Sequence, residues 1–494
     1  MNKFMAGCLS FTLAVVALVV AGNAQQQRPR QDNQRPGGQQ QGGGRRMQDN
    51  GDARTDVPAH PWDIILGRPT RNSVTASVLV YEPLEGFLEY ETGKTKGRTA
   101  TQSFKAGEPV EIQLSGLKAD AQYSYRFHSR ARPADPFTAS VSYAFHTARP
   151  AGASFTFTVQ SDSHLDYNTL PELYTRTLAN ALADQPDFHF ELGDTFMTDK
   201  YANYQDAAKQ YLAQRYYFGL LCHSAPLFFA LGNHDGERGS ALNGSANNTT
   251  VWAATQRKRY LPNPQPDAFY AGNAKPESYV GLLQDYYAWT WGDALFVVLD
   301  PFWFTQERGG GNGAGDNWAR TLGEEQYQWL RKTLTGSKAK YKFVFLHHLV
   351  GGLDRSARGG IAAAKLYEWG GRNADGTDGF KQHRPNWEMP IHQLLVKHKV
   401  SAVFHGHDHL FAKEELDGIV YQEVPQPGHP RDDTPRHAAE YGYTSGEIQG
   451  SAGHLRVRVT AAQTTIDYVR AYLPADARGQ RQNGAVSYSY AIKP

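Results

Sequence analysis

The stretch FTFTVQSDSH, residues 155–164, decides the reading of this chain. An apolar, β-forming run from Phe155 to Gln160 stops at Asp162-Ser163-His164, so a buried strand delivers a carboxylate and an imidazole at its carboxyl end. Outward from there the same pattern repeats. Phe188 to Leu192 runs into Gly193-Asp194, and Leu227 to Leu231 into Gly232-Asn233-His234-Asp235. Lys342 to Leu346 runs into His347-His348, and Ala402 to Phe404 into His405-Gly406-His407-Asp408-His409. Ala294 to Leu299 reads as a further strand, and helices are expected near Leu170 to Ala183, Tyr201 to Leu221 and Glu324 to Leu334. Strands alternating with helices predict an α/β domain, whose functional groups gather where the strands end. Residues 453–472, with Leu455, Val457 and Val459 alternating, are expected to close it with a hairpin.

Taken singly, each block has an ordinary structural explanation: an aspartate at a strand end often caps a helix, and an asparagine often caps a turn. Five such blocks, each directly after an apolar strand, point to metal binding. The donors are nitrogen and oxygen without thiolate, which suits iron, manganese or zinc.

These blocks, DxH, GD, GNHD, a histidine after a buried strand, and GHxH, resemble the calcineurin-like metallophosphoesterase superfamily over roughly Phe155 to Glu423. The resemblance implies an α/β sandwich of two mixed sheets flanked by helices, and two metal ions. One ion is implied at Asp162, His164, Asp194 and His409, the other at Asp194, Asn233, His347 and His407, with Asp194 bridging. A bridging carboxylate holds two cations about 3.5 to 4 Å apart, where both polarise one phosphate and acidify one water. The implied reaction is hydrolysis of a phosphate monoester by in-line attack of a metal-bound hydroxide, with His234, oriented by Asp235, donating to the leaving oxygen. The alternatives are a phosphodiesterase or nucleotidase of the same superfamily, or, in another class, a surface-binding protein with a non-catalytic phosphoesterase-like domain. Plant-type purple acid phosphatases carry a metal-binding tyrosine three residues after the GD aspartate. That position is Met197 here, so the purple iron–tyrosinate chromophore is expected to be absent. His405 is expected to be a buried strand residue and not a ligand.

From Pro61 to Thr147 short alternating segments (Val74–Tyr81, Phe87–Tyr90, Val110–Leu114, Tyr123–Phe127, Val141–Phe145) predict a small all-β sandwich. Leu117, six residues before Tyr123, resembles the fibronectin type III pattern, and such a domain ahead of the catalytic one is similar to the purple acid phosphatase arrangement. The implied plan is a signal peptide at 1–24, a disordered Gln/Gly/Arg-rich linker at 25–57, the sandwich at 58–148, the phosphoesterase domain at 152–473 and a tail at 474–494. Lys3, the apolar run Phe11 to Val20 and the small residues Gly22 and Ala24 are the layout of a cleavable secretory signal. The mature chain is thus expected to lack a transmembrane span and to be exported, to a periplasm, the cell surface or the medium.

The chain has 494 residues, with 51 Lys plus Arg against 49 Asp plus Glu. That balance leaves no broad electrostatic footprint for a nucleic-acid polymer, so any anionic partner must be bound locally, and the resemblance implies that it is a small phosphate ester. Cys222 is the one cysteine beyond the leader, which excludes an internal disulfide in the mature chain. Three long connections, 236–278, 302–320 and 350–386, are expected to wall the pocket. His348, Arg355, Arg358 and His383 are the candidate contacts to an anionic substrate. Trp252, Tyr270, Trp303, Trp318, Trp369 and Trp387 could stack on an aryl leaving group or pack a lid.

Overall fold

The computed structural model describes residues 53–306, 316–430 and 437–494. The signal segment and the linker up to residue 52 lie outside the described residues. In the strand Phe155–Gln160 the period of two divides the side chains. Phe157 and Val159 enter an apolar layer, while Thr158 bonds His189 and Gln160 reaches Tyr174 of the helix Pro171–Ala183. This strand is third in a six-stranded sheet ordered Leu227–Phe229, Phe188–Glu191, Phe155–Gln160, Gly453–Val459, Thr464–Arg470, Val486–Ile492. The first three run parallel, and the expected 453–472 hairpin supplies the fourth and fifth.

A second, eight-stranded sheet faces the first. Its centre is the parallel set Ala294–Val298, Tyr341–Phe345, Ala402–His405 and Ile419–Glu423. Aromatic side chains fill the layer between the sheets. Phe190 stacks on Phe345 at 3.9 Å between ring centroids, and Phe188 meets Phe296 edge-on at 5.2 Å. Such pairs contribute about 0.5–1.5 kcal/mol each beyond the area they bury. Helices Pro171–Ala183 and Tyr204–Cys222 cover the outer face of the first sheet, and Gly323–Gly336 and Ile391–Lys397 that of the second. Because the strands carrying the motifs are parallel within each sheet, their carboxyl ends open onto one edge of the two-sheet sandwich.

The amino-terminal region is all-β, as expected, with a three-stranded sheet packed on a six-stranded one around Ile64, Val78, Leu88, Leu114 and Phe127. The Tyr123 hydroxyl accepts the Lys118 amide at 2.8 Å, which pins the corner beside Leu117. This sandwich is fixed to the α/β domain by buried polar bonds. Arg215, wholly buried on the helix Tyr204–Cys222, donates to the Ser77 carbonyl (2.9 Å), the Ser77 hydroxyl (3.0 Å) and the Tyr260 carbonyl. Tyr125 donates to the His223 carbonyl at 2.6 Å.

Two boundaries differ from the sequence reading. The last linker residues are docked: the Arg54 amide bonds the Leu165 carbonyl at 2.7 Å, and Val57 packs against the helices of the first sheet. The segment 474–494 is no tail, since Val486–Ile492 pairs with Thr464–Arg470 as an edge strand. Its alternation explains this, because Tyr488, Tyr490 and Ile492 lie against the inter-sheet core while the intervening residues face outward. The helix Thr249–Tyr260 and the strands Tyr287–Trp291, Phe411–Leu416 and Val486–Ile492 lie in segments whose sequence predicts no element. Among the described residues no helix is long and apolar enough to cross a membrane.

Candidate metal centre

The strand exits converge. Asp162, His164 and His409 present ligand atoms within 4.8 Å of one another, and so do Asp194, His347 and His407. Asp194 stands between the two groups: its Oδ2 is 3.7 Å from His164 Nε2 and 3.3 Å from His347 Nε2. Its other oxygen is occupied by the His234 amide at 2.7 Å. Asp162 is arranged likewise, with Oδ2 accepting the His407 amide at 2.9 Å and Oδ1 facing His409 Nε2 at 3.3 Å.

Two features show that these donors fit cations. Asp162 Oδ1 and His164 Nε2 are buried and make no hydrogen bond, an arrangement costly for polar atoms unless something else satisfies them. His347 donates Nδ1–H to the Leu192 carbonyl (2.9 Å) and His407 donates Nε2–H to the Ser356 carbonyl (2.6 Å). The remaining nitrogens face each other at 3.3 Å, with Asn233 Oδ1 3.0 Å from His347 Nε2. Lone pairs aimed at one point repel unless a positive charge sits among them, and a second nitrogen tied to a carbonyl is how a metal-binding histidine is oriented.

Against burial, the surrounding aspartates push His164 well above its usual range and His347 up to about 9, so this centre attracts positive charge. Burial alone would raise the Asp162 carboxyl, but the imidazoles of His347 and His409 outweigh it and hold it well below the usual range. Asp194 is held down in the same way, by His347 and His234 against burial. Burial pushes His407 down to about 3 and His409 down to about 4, which keeps both rings unprotonated.

Local geometry sets these directions. Asp162, Asp194, His407 and His409 all adopt positive φ (57°, 54°, 83° and 62°), turning the chain sharply as it leaves each strand. Gly232 and Gly406 permit the close approach of the loops, because a Cβ on Gly232 would collide with the Asp194 backbone and one on Gly406 with Ser161 Oγ. Glu191, buried below, accepts from Gln160 (2.8 Å), Ser163 (3.0 Å) and Thr195 (2.9 Å), tying the first two motif loops together.

A cleft of about 410 Å³ opens on this centre, walled in part by Asn233, His234, Phe302, His348, Arg355, Arg358 and His407. All three long connections contribute to it, through Arg238 and Ser240, Phe302 and Arg320, and Arg355 to Arg358. His348 is neutral, held well below its usual range chiefly by burial and further by the charge on His347. His405 is buried, with Nδ1 2.7 Å from Glu423, as the sequence reading expects. Met197 packs with Tyr201 and Ala207 away from the cleft.

Two expectations are corrected. Asp235 does not orient His234: its carboxylate turns back to accept the amides of Gly232 (2.7 Å), Thr195 (2.8 Å), Phe196 (2.9 Å) and Asp194 (3.1 Å), locking the GD loop onto the GNHD turn. His234 Nδ1 instead pairs with Asp199 at 2.8 Å, and Arg238 holds the other Asp199 oxygen at 3.1 Å. His383 does not border the cleft, because its ring stacks on Trp318, 4.4 Å between centroids. Trp303, Trp318, Trp369, Trp387 and Tyr270 are buried in packing. Sequence reasoning missed Asp199, Arg238 and Arg320. The last reaches the carbonyls of Gly351 (2.8 Å) and Asp354 (3.1 Å) and so braces the loop carrying Arg355 and Ser356.

The two facing sheets, with a histidine- and aspartate-lined centre at their strand exits, define a metallophosphoesterase. The chain belongs to the calcineurin-like phosphoesterases, whose family model matches residues 155–411, just over half of it. It is similar in fold to a solved structure of PhoD, at a TM-score of 0.62 and 16% identity, covering 89% of this chain and 91% of that one. It is also similar to the purple acid phosphatase PPD1 from yellow lupin (Lupinus luteus) seeds, at a TM-score of 0.58 and 15% identity over 87% of this chain and 74% of that one. No curated protein sequence matches it.

Proposed function

We propose that this chain is an exported, two-metal phosphomonoesterase. The observation that carries the reading is Asp194 Oδ2 lying between His164 and His347, so that one carboxylate belongs to both donor groups. Asp162, His164 and His409 would hold one ion and Asn233, His347 and His407 the other, each with Asp194. When bound, the pair supplies charge neutralisation at the phosphate and a water-derived nucleophile at neutral pH.

The chain's own residues do the rest. Asp199 accepts a hydrogen bond from His234 Nδ1–H and leaves Nε2 to carry a proton toward the leaving oxygen. Burial would raise Asp199, but His234 and then Arg238 hold it down, so it stays charged for this task. Arg355 and Arg358 border the cleft and favour an anionic substrate there, while Phe302 narrows it against water. Iron, manganese and zinc all suit the nitrogen and oxygen donors. Export rests on the sequence of residues 1–24, and amino-terminal sequencing of protein recovered from its producing cells should find the mature chain starting near Gln25.

Metal analysis coupled to a hydrolysis panel tests the function. The expected result is two ions per chain and release of phosphate from an aryl monoester. Turnover of an aryl bis-ester or of nucleotides in preference to the monoester would instead support a diesterase or nucleotidase. A protein that binds no metal and hydrolyses none of these refutes the reading.

A further inference from the structure

Beside the cleft lies a second cavity of about 510 Å³ that the chemistry above does not use. The two share a wall: Asp199 and Arg238 border both. Since Asp199 holds His234, the second cavity adjoins the side from which the leaving oxygen would depart.

Its chemistry is distinctive. The charged side chains among its lining residues are Asp199 and Arg238, and these are already paired with each other and with His234. The wall therefore offers no uncommitted charge to a second phosphate, a carboxylate or an ammonium group. The rest is neutral, a mixture of polar side chains with Ala202, Gly236 and Ala241. Thr249 opens the helix Thr249–Tyr260 at its edge, and Thr198 and Asn203 line it with their bonding already committed inside the protein. Tyr204 is braced by a parallel stack on Trp252, 4.6 Å between centroids. A rigid ring surface beside the Tyr201 and Thr249 hydroxyls, of which the first is buried without a hydrogen-bond partner, suits a molecule with one apolar face and several hydroxyls, and the volume is in the range of small-molecule sites.

We propose that this cavity is a leaving-group subsite for a neutral, hydroxyl-rich alcohol, so that the physiological substrate is a monophosphate of a sugar or related polyol. The proposal rests on the phosphomonoesterase reading and adds a substrate class to it. Ala202, exposed at the rim, gives a way to close the cavity without touching the core.

The test compares Ala202→Trp and the isosteric Thr249→Val with wild type, on glucose 6-phosphate and on acetyl phosphate, whose leaving group is too small to need the cavity. Ala202→Trp should lose about tenfold or more in kcat/KM on the sugar phosphate, ~1.4 kcal/mol, and keep its rate on acetyl phosphate. Thr249→Val should shift in the same direction by less. Saturation-transfer NMR with free glucose should show binding to wild type that Ala202→Trp abolishes. Equal losses on both substrates, unchanged kinetics on both, or glucose binding that survives the tryptophan each overturn the proposal. Failure of metal-loaded wild type to hydrolyse acetyl phosphate would fall on the phosphomonoesterase reading, while the NMR result would still judge the cavity.

Discussion

Replacing Asp199 by asparagine should separate the proton donor from the metal centre. The substitution keeps the volume, removes the charge 2.8 Å from His234 Nδ1, and leaves Arg238 its bond to the Asn233 carbonyl. A hydrogen bond to a charged group contributes about 1.5–3 kcal/mol, and this pair is largely enclosed, with side-chain exposures of 21% and 25%. Losing it should weaken proton donation through His234 by that amount, or roughly 10- to 100-fold in any step that needs the proton. An alkyl phosphate needs it, because an alkoxide is a poor leaving group. p-Nitrophenyl phosphate hardly does. Steady-state kinetics on both substrates should therefore show a 10- to 100-fold fall in kcat for the alkyl ester and a change within about 3-fold for the aryl ester, with metal content unchanged. Equal losses on the two esters, or loss of an ion, would refute the role assigned to Asp199.

Chelation should remove activity and lower Tm together, since a ligand at 100 times its Kd stabilises the folded state by about 2.7 kcal/mol. In metal analysis Asp194→Ala should lose both ions and Asn233→Ala only one. Arg215→Leu should destabilise the protein by about 3–5 kcal/mol in thermal or denaturant unfolding, because Ser77 and Tyr260 lose the donor that satisfies their buried oxygens. His223, stacked on Tyr143 at the base of the β-sandwich, is pushed down to about 4 by burial. The unfolded chain takes up that proton first, so stability should fall as pH drops from about 6.5 toward 4, by up to about 2 kcal/mol for a partly enclosed ring. His223→Phe should flatten that part of the Tm profile, and an unchanged slope would exclude His223 as its source.

The strand exits were legible because a buried parallel strand is a continuous apolar run, and a polar block directly after it has one place to go. All seven motif residues read as metal ligands converge for that reason, at five loops whose directions follow from two parallel sets. What the motif could not tell was where a side chain turns inside its loop. Asp235 sits next to His234 in sequence, yet four unsatisfied amides lie behind it and capture its carboxylate. Asp199 reaches His234 across 35 positions, through the turn that follows Phe196, and no spacing announces that contact. His383 was readable as a cation beside a loop, but its partner Trp318 comes from a different connection. The helix Thr249–Tyr260 opens with two threonines and mixes polar with apolar residues around its whole circumference, so it lacks the one-sided stripe that would mark it. The edge strand Val486–Ile492 is half exposed, and its alternating tyrosines and serines resemble a polar terminus.

Four of the coordinating positions hold left-handed backbone that a non-glycine residue adopts only at a cost. The packing of the two sheets and the loops between them has to meet that cost, so part of the stability gained in the aromatic core is spent on aiming four side chains at one point.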